Sequence, residues 1–554
     1  MKNQKSKILK LLFCLLFAVN SFAFTNYVWQ GSASPAAPYD SWATAAHTIQ
    51  PAIDYAVEGN VVLVTNGVYT LSDNIMLATN NVVLKSVNGA ENSVIDGNFI
   101  NNCIYLRGQS TVDSFLIRNG ISSGSGGGIL IFGNGTVLNC IFTNNVAQDV
   151  TYGGGAIYSF SGFISNCTVK ANTAIKGGGL LLRGNSVVKD CVLEGNNADN
   201  GGAIYCNNSG EISNCIIKNN TADNGAGGYI IAGEAIFEEN EIIGNIAVKD
   251  GGAFYVFNSG AKLVLKNVNV ISNLAESTSA VANLGGGGVA VVLNAELNLI
   301  NCLFDSNASS NFGGAISIYA SQLSIDSDFS TFPALTQPPN RFFNNSAPND
   351  RQGGAILITA ESGASIKNAI FTNNYAGGFG GAVYVYDAST CDFVNIVVAH
   401  NNSMDSGDGI RAVQDSALRM AYCTVVDNDK YGVTTVGSDL TMTNCIVWAH
   451  GTTEVSSGEN VQYSDIQGGY ATGTNNIAFD PLFVDSANLN YQLTLGSPCK
   501  NTALDIGIMS DCIGETRPQL GGYDMGAYEF VPEPFYLSFI IYYVIFISRR
   551  KYKK

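Results

Sequence analysis

One short unit recurs along this chain and limits what it can fold into: Gly201-Gly202-Ala203-Ile204-Tyr205-Cys206, followed by Ile212-Ser213-Asn214-Cys215-Ile216-Ile217-Lys218-Asn219-Asn220. The second glycine of such a unit stands at 155, 179, 202, 228, 252, 288, 314, 354 and 381, and most intervals are 23–27 residues. Helical repeats are longer and carry a 3.6-residue periodicity, whereas these units alternate apolar and polar residues over short runs. Coils of about 24 residues stacked at the ~4.8 Å spacing of paired strands make an all-β solenoid. Such an array holds 554 residues as one body, so length is no evidence for several domains.

The alternation assigns faces. Ile157, Leu181, Ile204, Ile230, Phe254, Ile316, Ile356 and Val383 are expected in one inward column of the glycine unit. Tyr158, Tyr205, Tyr255 and Tyr384 follow one residue later and should point outward, with gaps at Leu182, Ile231, Val291 and Ser317. A second inward column runs through Phe142, Val169, Leu193, Ile217, Ile242, Val270, Phe304, Phe342 and Phe371. Each of these precedes an asparagine by three residues: Asn145, Asn172, Asn196, Asn220, Asn245, Asn273, Asn307, Asn345 and Asn374. Asparagine tolerates left-handed backbone and its amide can bond to the next copy, so a corner ladder is expected.

The two ends read differently. Lys2, Lys5, Lys7 and Lys10, an apolar run over 11–19 and Ser21-Phe22-Ala23 make residues 1–23 a secretory signal peptide. Residues 24–59 should form an N-terminal cap, in which Thr48 starts and Gly59 closes a short amphipathic helix lying on the first coil. Residues 60–477 are the solenoid, 478–530 a segment closing its last coil, and 531–554 a tail. That tail contains Pro532-Glu533-Pro534, an apolar stretch and five terminal cations. Without leader and tail the body keeps 19 basic against 43 acidic residues, a net charge near −24. Such a body excludes nucleic acid as a partner and repels polyanionic glycans unless a cation bridges them.

Several stretches resemble known families. The Gly-Gly-Ala-Ile and Phe-x-x-Asn units look like the repeats of polymorphic outer-membrane proteins. The whole run is similar to the right-handed parallel β-helix of the pectate-lyase superfold. Asp480-Pro481-Leu482-Phe483 through Tyr523-Asp524-Met525-Gly526 resembles the closing segment of choice-of-anchor surface proteins, and the tail resembles a PEP-CTERM sorting signal. These resemblances imply export, contact with sorting machinery, display at a bacterial surface or outer membrane, and membrane contact only through the tail.

Thirteen cysteines in an exported chain suggest disulfides, but the spacing argues otherwise. Cys140, Cys167, Cys191, Cys215, Cys302 and Cys423 each stand five residues before the corner asparagine, and Cys445 stands five before His450. These seven are expected to form a thiol ladder inside the coils. Cys499 and Cys512 lie outside it and are the candidate disulfide. No spacing suggests a metal centre, and calcium enters only with a lyase activity.

For catalysis the candidates are Asp408 and Arg411, beside Asp405, and one coil later Asp427, Asp429 and Lys430. Carboxylates and bases on adjacent coils are what a polysaccharide lyase or glycoside hydrolase needs. Read as turn residues instead, they are ordinary. For binding, Tyr158, Tyr205, Tyr255 and Tyr384 offer rings on which sugars stack. The reading that follows is a surface-displayed structural or adhesive β-helix that binds extracellular glycan or another surface component, with polysaccharide cleavage as the alternative.

Overall fold

The computed structural model describes residues 24–79, 81–276, 284–331, 338–456, 460–519 and 521–532. The leader and the tail beyond Pro532 lie outside these residues. The chain divides into two compact units, Met1–Ala198 with Ala203–Tyr205, and Asp199–Gly202 with Cys206–Lys554.

In the first unit Thr25–Val28, Val61–Val64, Val83–Ser86, Thr111–Asp113, Thr136–Leu138, Phe163–Ser165 and Ser186–Lys189 pair successively, all in parallel. Their register stacks Val62, Leu84, Val112, Val137, Ile164 and Val188 in one fully buried column. The helix spans only Ile49–Tyr55 and buries Ile49, Ala52 and Ile53. Ala56 is already extended and a turn from Val57 O to Asn60 N follows, so Gly59 lies beyond the helix rather than closing it. Thr48 stands at the N-cap with extended backbone but makes no capping bond.

The second unit repeats the scheme. Ala261–Lys266, Glu296–Ile300, Gln322–Asp326, Gly363–Thr372, Thr390–Ala399, Ala417–Ala421 and Asp439–Thr443 form one parallel ladder. The expected second column is in register here: Ile217, Ile242, Val270, Phe304, Phe342 and Phe371 stack. Phe304, Phe342 and Phe371 lie nearly face to face, with centroids 5.1 and 4.7 Å apart.

The glycine-unit column needs correction. Leu180, not Leu181, pairs with Ile157, and Gly228, not Ile230, pairs with Phe254. Register follows the one glycine of each unit held at positive φ, among them Gly154, Gly177, Gly251, Gly286, Gly313 and Gly353. Glycine adopts that conformation without steric cost, and a β-carbon on Gly313 would come within 2.2 Å of Ile316 O. In Gly177-Gly178-Gly179 and Gly225-Ala226-Gly227-Gly228 the left-handed residue is the first glycine, so anchoring on a later one shifts the column.

The asparagine ladder forms through the expected amide bonds to the next copy, but its asparagines are not the left-handed residues. The left-handed corner residue is the one before each ladder asparagine: Asn144, Ala171, Gly195, Asn219, Gly244, Ser272, Ser306, Asn344 and Asn373. The ladder residues themselves are buried and bond vertically. Asn273, for example, donates from Nδ2 to Asn307 Oδ1 at 3.0 Å and to Ile242 O at 2.9 Å, while its Oδ1 accepts from Asn245 N and Nδ2. The ladder continues through Asn401 and Asn428 and ends where Asn428 N meets His450 Nδ1 at 3.2 Å.

The cysteine positions work in the same way. Cys167 N donates to Cys191 Sγ and Cys423 N to Cys445 Sγ, both at 3.4 Å. Asparagine or serine takes over the acceptor role where the slot changes, at Asn240, Asn340 and Ser464. Cys140, Cys167, Cys191, Cys215, Cys302, Cys423 and Cys445 are all buried free thiols. So are Cys499 and Cys512, which form no disulfide: Cys499 Sγ instead donates to Asp465 Oδ2 at 3.0 Å.

Residues 478–530, expected to close the last coil, lie along the side of the second unit. Asn444 exchanges two 2.8 Å bonds with Leu504, Tyr422 Oη donates to Leu504 O, and Ala527 N donates to Thr424 Oγ1. The cause is visible in the coils. The outward column that carries Arg341 becomes Ile370, Val397, Thr424 and Ile446 in the following turns. That apolar strip is covered by Tyr491, Leu493, Met525 and Tyr528.

Candidate functional site

The catalytic candidates separate into three environments. Asp408 is fully buried, and its carboxylate accepts from Ser403 N and Oγ, Lys430 N and Tyr431 N, so it ties two successive turns together. Arg411 leaves it for the outer face of the glycine-unit strands, where it donates to Ser406 Oγ and sets its guanidinium 4.5 Å from the Phe379 ring centre. Asp429 is exposed and 3.9 Å from Lys430 Nζ, which also bonds to Ser403 O and Met404 O.

Asp427 occupies the third environment, a corner shared with the C-terminal segment. Burial raises its carboxyl above the usual range, while His400 and a hydrogen bond from Tyr491 hold it back. The Tyr491 hydroxyl bonds His400 Nε2 at 3.1 Å. A half-buried carboxyl raised in this way beside a histidine is a candidate acid–base group. Among the described residues, no three His, Cys, Asp or Glu side chains are grouped to hold a metal ion.

The four tyrosines are more covered than their outward direction suggests. Tyr158, Tyr205, Tyr255 and Tyr384 are 5, 3, 7 and 8% exposed. Tyr152 and Arg183 close over Tyr158, Lys176 lies 5.8 Å from the Tyr205 ring, and Tyr229 and Phe257 flank Tyr255. Tyr229 pairs with Tyr255, so the gap expected at Ile231 is filled by a ring.

The accessible rings stand two residues further on, on the same face. Phe160 is 43% exposed and stacks on Phe132, itself 53% exposed, at 5.8 Å. Phe257 stacks on Tyr255 at 5.9 Å and Tyr386 on Tyr384 at 6.0 Å, both within 18° of parallel. Phe379 and Arg411 extend the latter group. The buried tyrosine thus backs the ring that a ligand can reach. The signal was present in sequence: alternation puts i and i+2 on one face of a strand, and residues 160, 257 and 386 are all aromatic.

The chain matches the right-handed beta helix region family over residues 78–242, 156–332 and 335–479. Among solved structures it is similar to the catalytic unit of a thermostable GH87 alpha-1,3-glucanase from Streptomyces thermodiastaticus strain HF3-3, at 12% identity and a TM-score of 0.32. That alignment covers 78% of this chain and 66% of the other, just under two thirds of its length. Pectate lyase Pel9A aligns at 11% identity, 92% and 98% coverage and a TM-score of 0.20. A rhamnogalacturonan lyase aligns at 11% identity, 83% and 90% coverage and a TM-score of 0.17. At these scores the three structures carry no argument about chemistry. None of the curated proteins matches the chain.

Proposed function

Since the chain belongs to the right-handed β-helix family, we propose that it is an exported, surface-displayed β-helix with an adhesive role, holding neutral glycan on the outer face of its glycine-unit strands. The observation that carries this is the pairing of a buried tyrosine with an accessible ring at Tyr255–Phe257 and Tyr384–Tyr386, the second beside Arg411. Stacked aromatic faces bind the apolar side of sugar rings, and a rigid parallel ladder holds them at fixed spacing. The acidic body favours neutral over anionic chains. The leader, the choice-of-anchor resemblance and the PEP-CTERM-like tail support export and display at a bacterial surface, by way of sorting machinery that reads the tail. The test is binding of the full chain to a panel of polysaccharides, compared with Phe257→Ala and Tyr386→Ala variants.

Cleavage of an extracellular polysaccharide is a second reading, favoured by the grouping of the half-buried Asp427 with His400 and Tyr491. Turnover abolished by Asp427→Asn would establish it. Asp408→Ala is no test, because it removes a buried acceptor of four hydrogen bonds.

A further inference from the structure

A cleft of about 380 Å³ lies in the second unit, where the coil corners at Asp326, Asn368 and Asn395 meet the C-terminal segment at Ser510. Phe329 and Lys367 also line it. Phe329 packs on Gly514, where a β-carbon would fall 2.9 Å from its ring. Asn395 is 3% exposed, and its orientation is fixed, because Nδ2 donates to both Asn368 Oδ1 at 3.1 Å and Ser510 O at 2.9 Å. Its Oδ1 finds no donor among the described residues. The reason is in the column: Asn368 and Asn395 are left-handed corner residues, but the next corner is Tyr422, whose hydroxyl goes to Leu504 O. The side-chain chain Asn395, Asn368, Asp326 fixes the polar wall of this cleft, with Asn395 Oδ1 buried behind it.

We propose that this cleft is a binding site for one or two neutral sugar residues, separate from the aromatic face. The chemistry of the lining selects the ligand. Asp326 accepts hydroxyl protons, Lys367 donates to hydroxyl oxygens, and the Phe329 ring offers an apolar wall. Asp326 and Lys367 lie 3.5 Å apart and offset one another, so neither an anion nor a cation is favoured. The volume falls at the lower end of the roughly 300–1,000 Å³ usual for small-molecule pockets, which suits a chain end rather than a polymer lying through it.

The test is titration of the full chain with methyl glycosides of glucose, galactose, mannose and N-acetylglucosamine, and with cellobiose and maltose, followed by saturation-transfer NMR and calorimetry. Saturable binding of at least one sugar is expected, weakened on the order of tenfold by Phe329→Ala and by Lys367→Ala. Lys367 is half exposed and not part of the core, so its variant stays informative if Phe329→Ala fails to fold. Binding of none of these sugars, or binding indifferent to both Lys367→Ala and Phe329→Ala in folded protein, overturns the proposal. Neither result touches the adhesive reading, which rests on polysaccharide binding at Phe257 and Tyr386.

Discussion

Arg517 donates from Nη1 to Glu529 Oε2 across 3.1 Å, with both side chains excluded from solvent. Asp511 and Asp524 join the same buried network through Glu529 N and Phe530 N. One guanidinium thus faces three carboxyls, and burial raises all three, Glu529 up to about 7. A carboxyl raised on folding binds a proton more tightly in the folded chain. Its contribution is therefore complete below the unfolded pKa and is lost as pH rises through the folded one. Wild type should lose stability relative to Glu529→Gln as pH rises from about 4.5 to about 7. Thermal unfolding of both proteins across that range checks this, and a constant difference would contradict it.

Replacing a ladder asparagine should cost more than a surface substitution. Asn273→Ala leaves Asn245 N, and one of the two Asn245 Nδ2 hydrogens, without an acceptor in a buried ladder, the other hydrogen keeping Ile217 O. Each orphaned donor costs about 1–3 kcal/mol, so a loss of about 3 kcal/mol is expected in denaturant unfolding. A loss below about 1 kcal/mol would show that water reaches the ladder.

The left-handed glycines should separate by their surroundings. Gly313→Ala places a β-carbon 2.2 Å from a backbone oxygen, whereas Gly437→Ala, at φ +58°, meets nothing within 4 Å. The first should cost about 3 kcal/mol or more and the second about 1 kcal/mol. Equal losses in the unfolding midpoints would mean that conformation alone, not the close approach, demands glycine.

The thiols should be inert in the folded chain and replaceable by a hydrogen-bonding residue. Burial pushes Cys206 and Cys302 up to about 12. A thiol reagent at pH 8 should label them only on unfolding, and reductant should leave the melting temperature unchanged. Cys445→Ser should be milder than Cys445→Val, because valine removes the acceptor of Cys423 N.

The solenoid was legible because one landmark, the corner asparagine, sits at a fixed distance from the inward residue of its strand. Phe142, Ile217 and Phe304 consequently fell in register. Glycine runs carry no such landmark: which glycine is left-handed depends on the carbonyl that passes beside it, so Leu181 and Ile230 were misplaced. The ladder cysteines are buried as their spacing suggests, and the backbone N–H groups that Cys191 and Cys445 answer belong to the coil before, whereas Cys499 and Cys512 stay unpaired because Cys499 turns to Asp465. The outward direction of the tyrosines was legible and their cover was not. Tyr255 and Tyr384 point outward but are overlaid by Phe257 and Tyr386, and such cover is visible only once neighbouring rings have positions. The apolar strip of Ile370, Val397 and Ile446 that places the C-terminal segment also depends on register between coils.

The most direct test of the adhesive account is to assay the full chain against one polysaccharide panel for both binding and turnover. Saturable binding of a neutral glycan is expected, reduced on the order of tenfold by Phe257→Ala or Tyr386→Ala in folded protein, with no new reducing ends or unsaturated products. Depolymerisation abolished by Asp427→Asn, or binding indifferent to both aromatic substitutions, would contradict it.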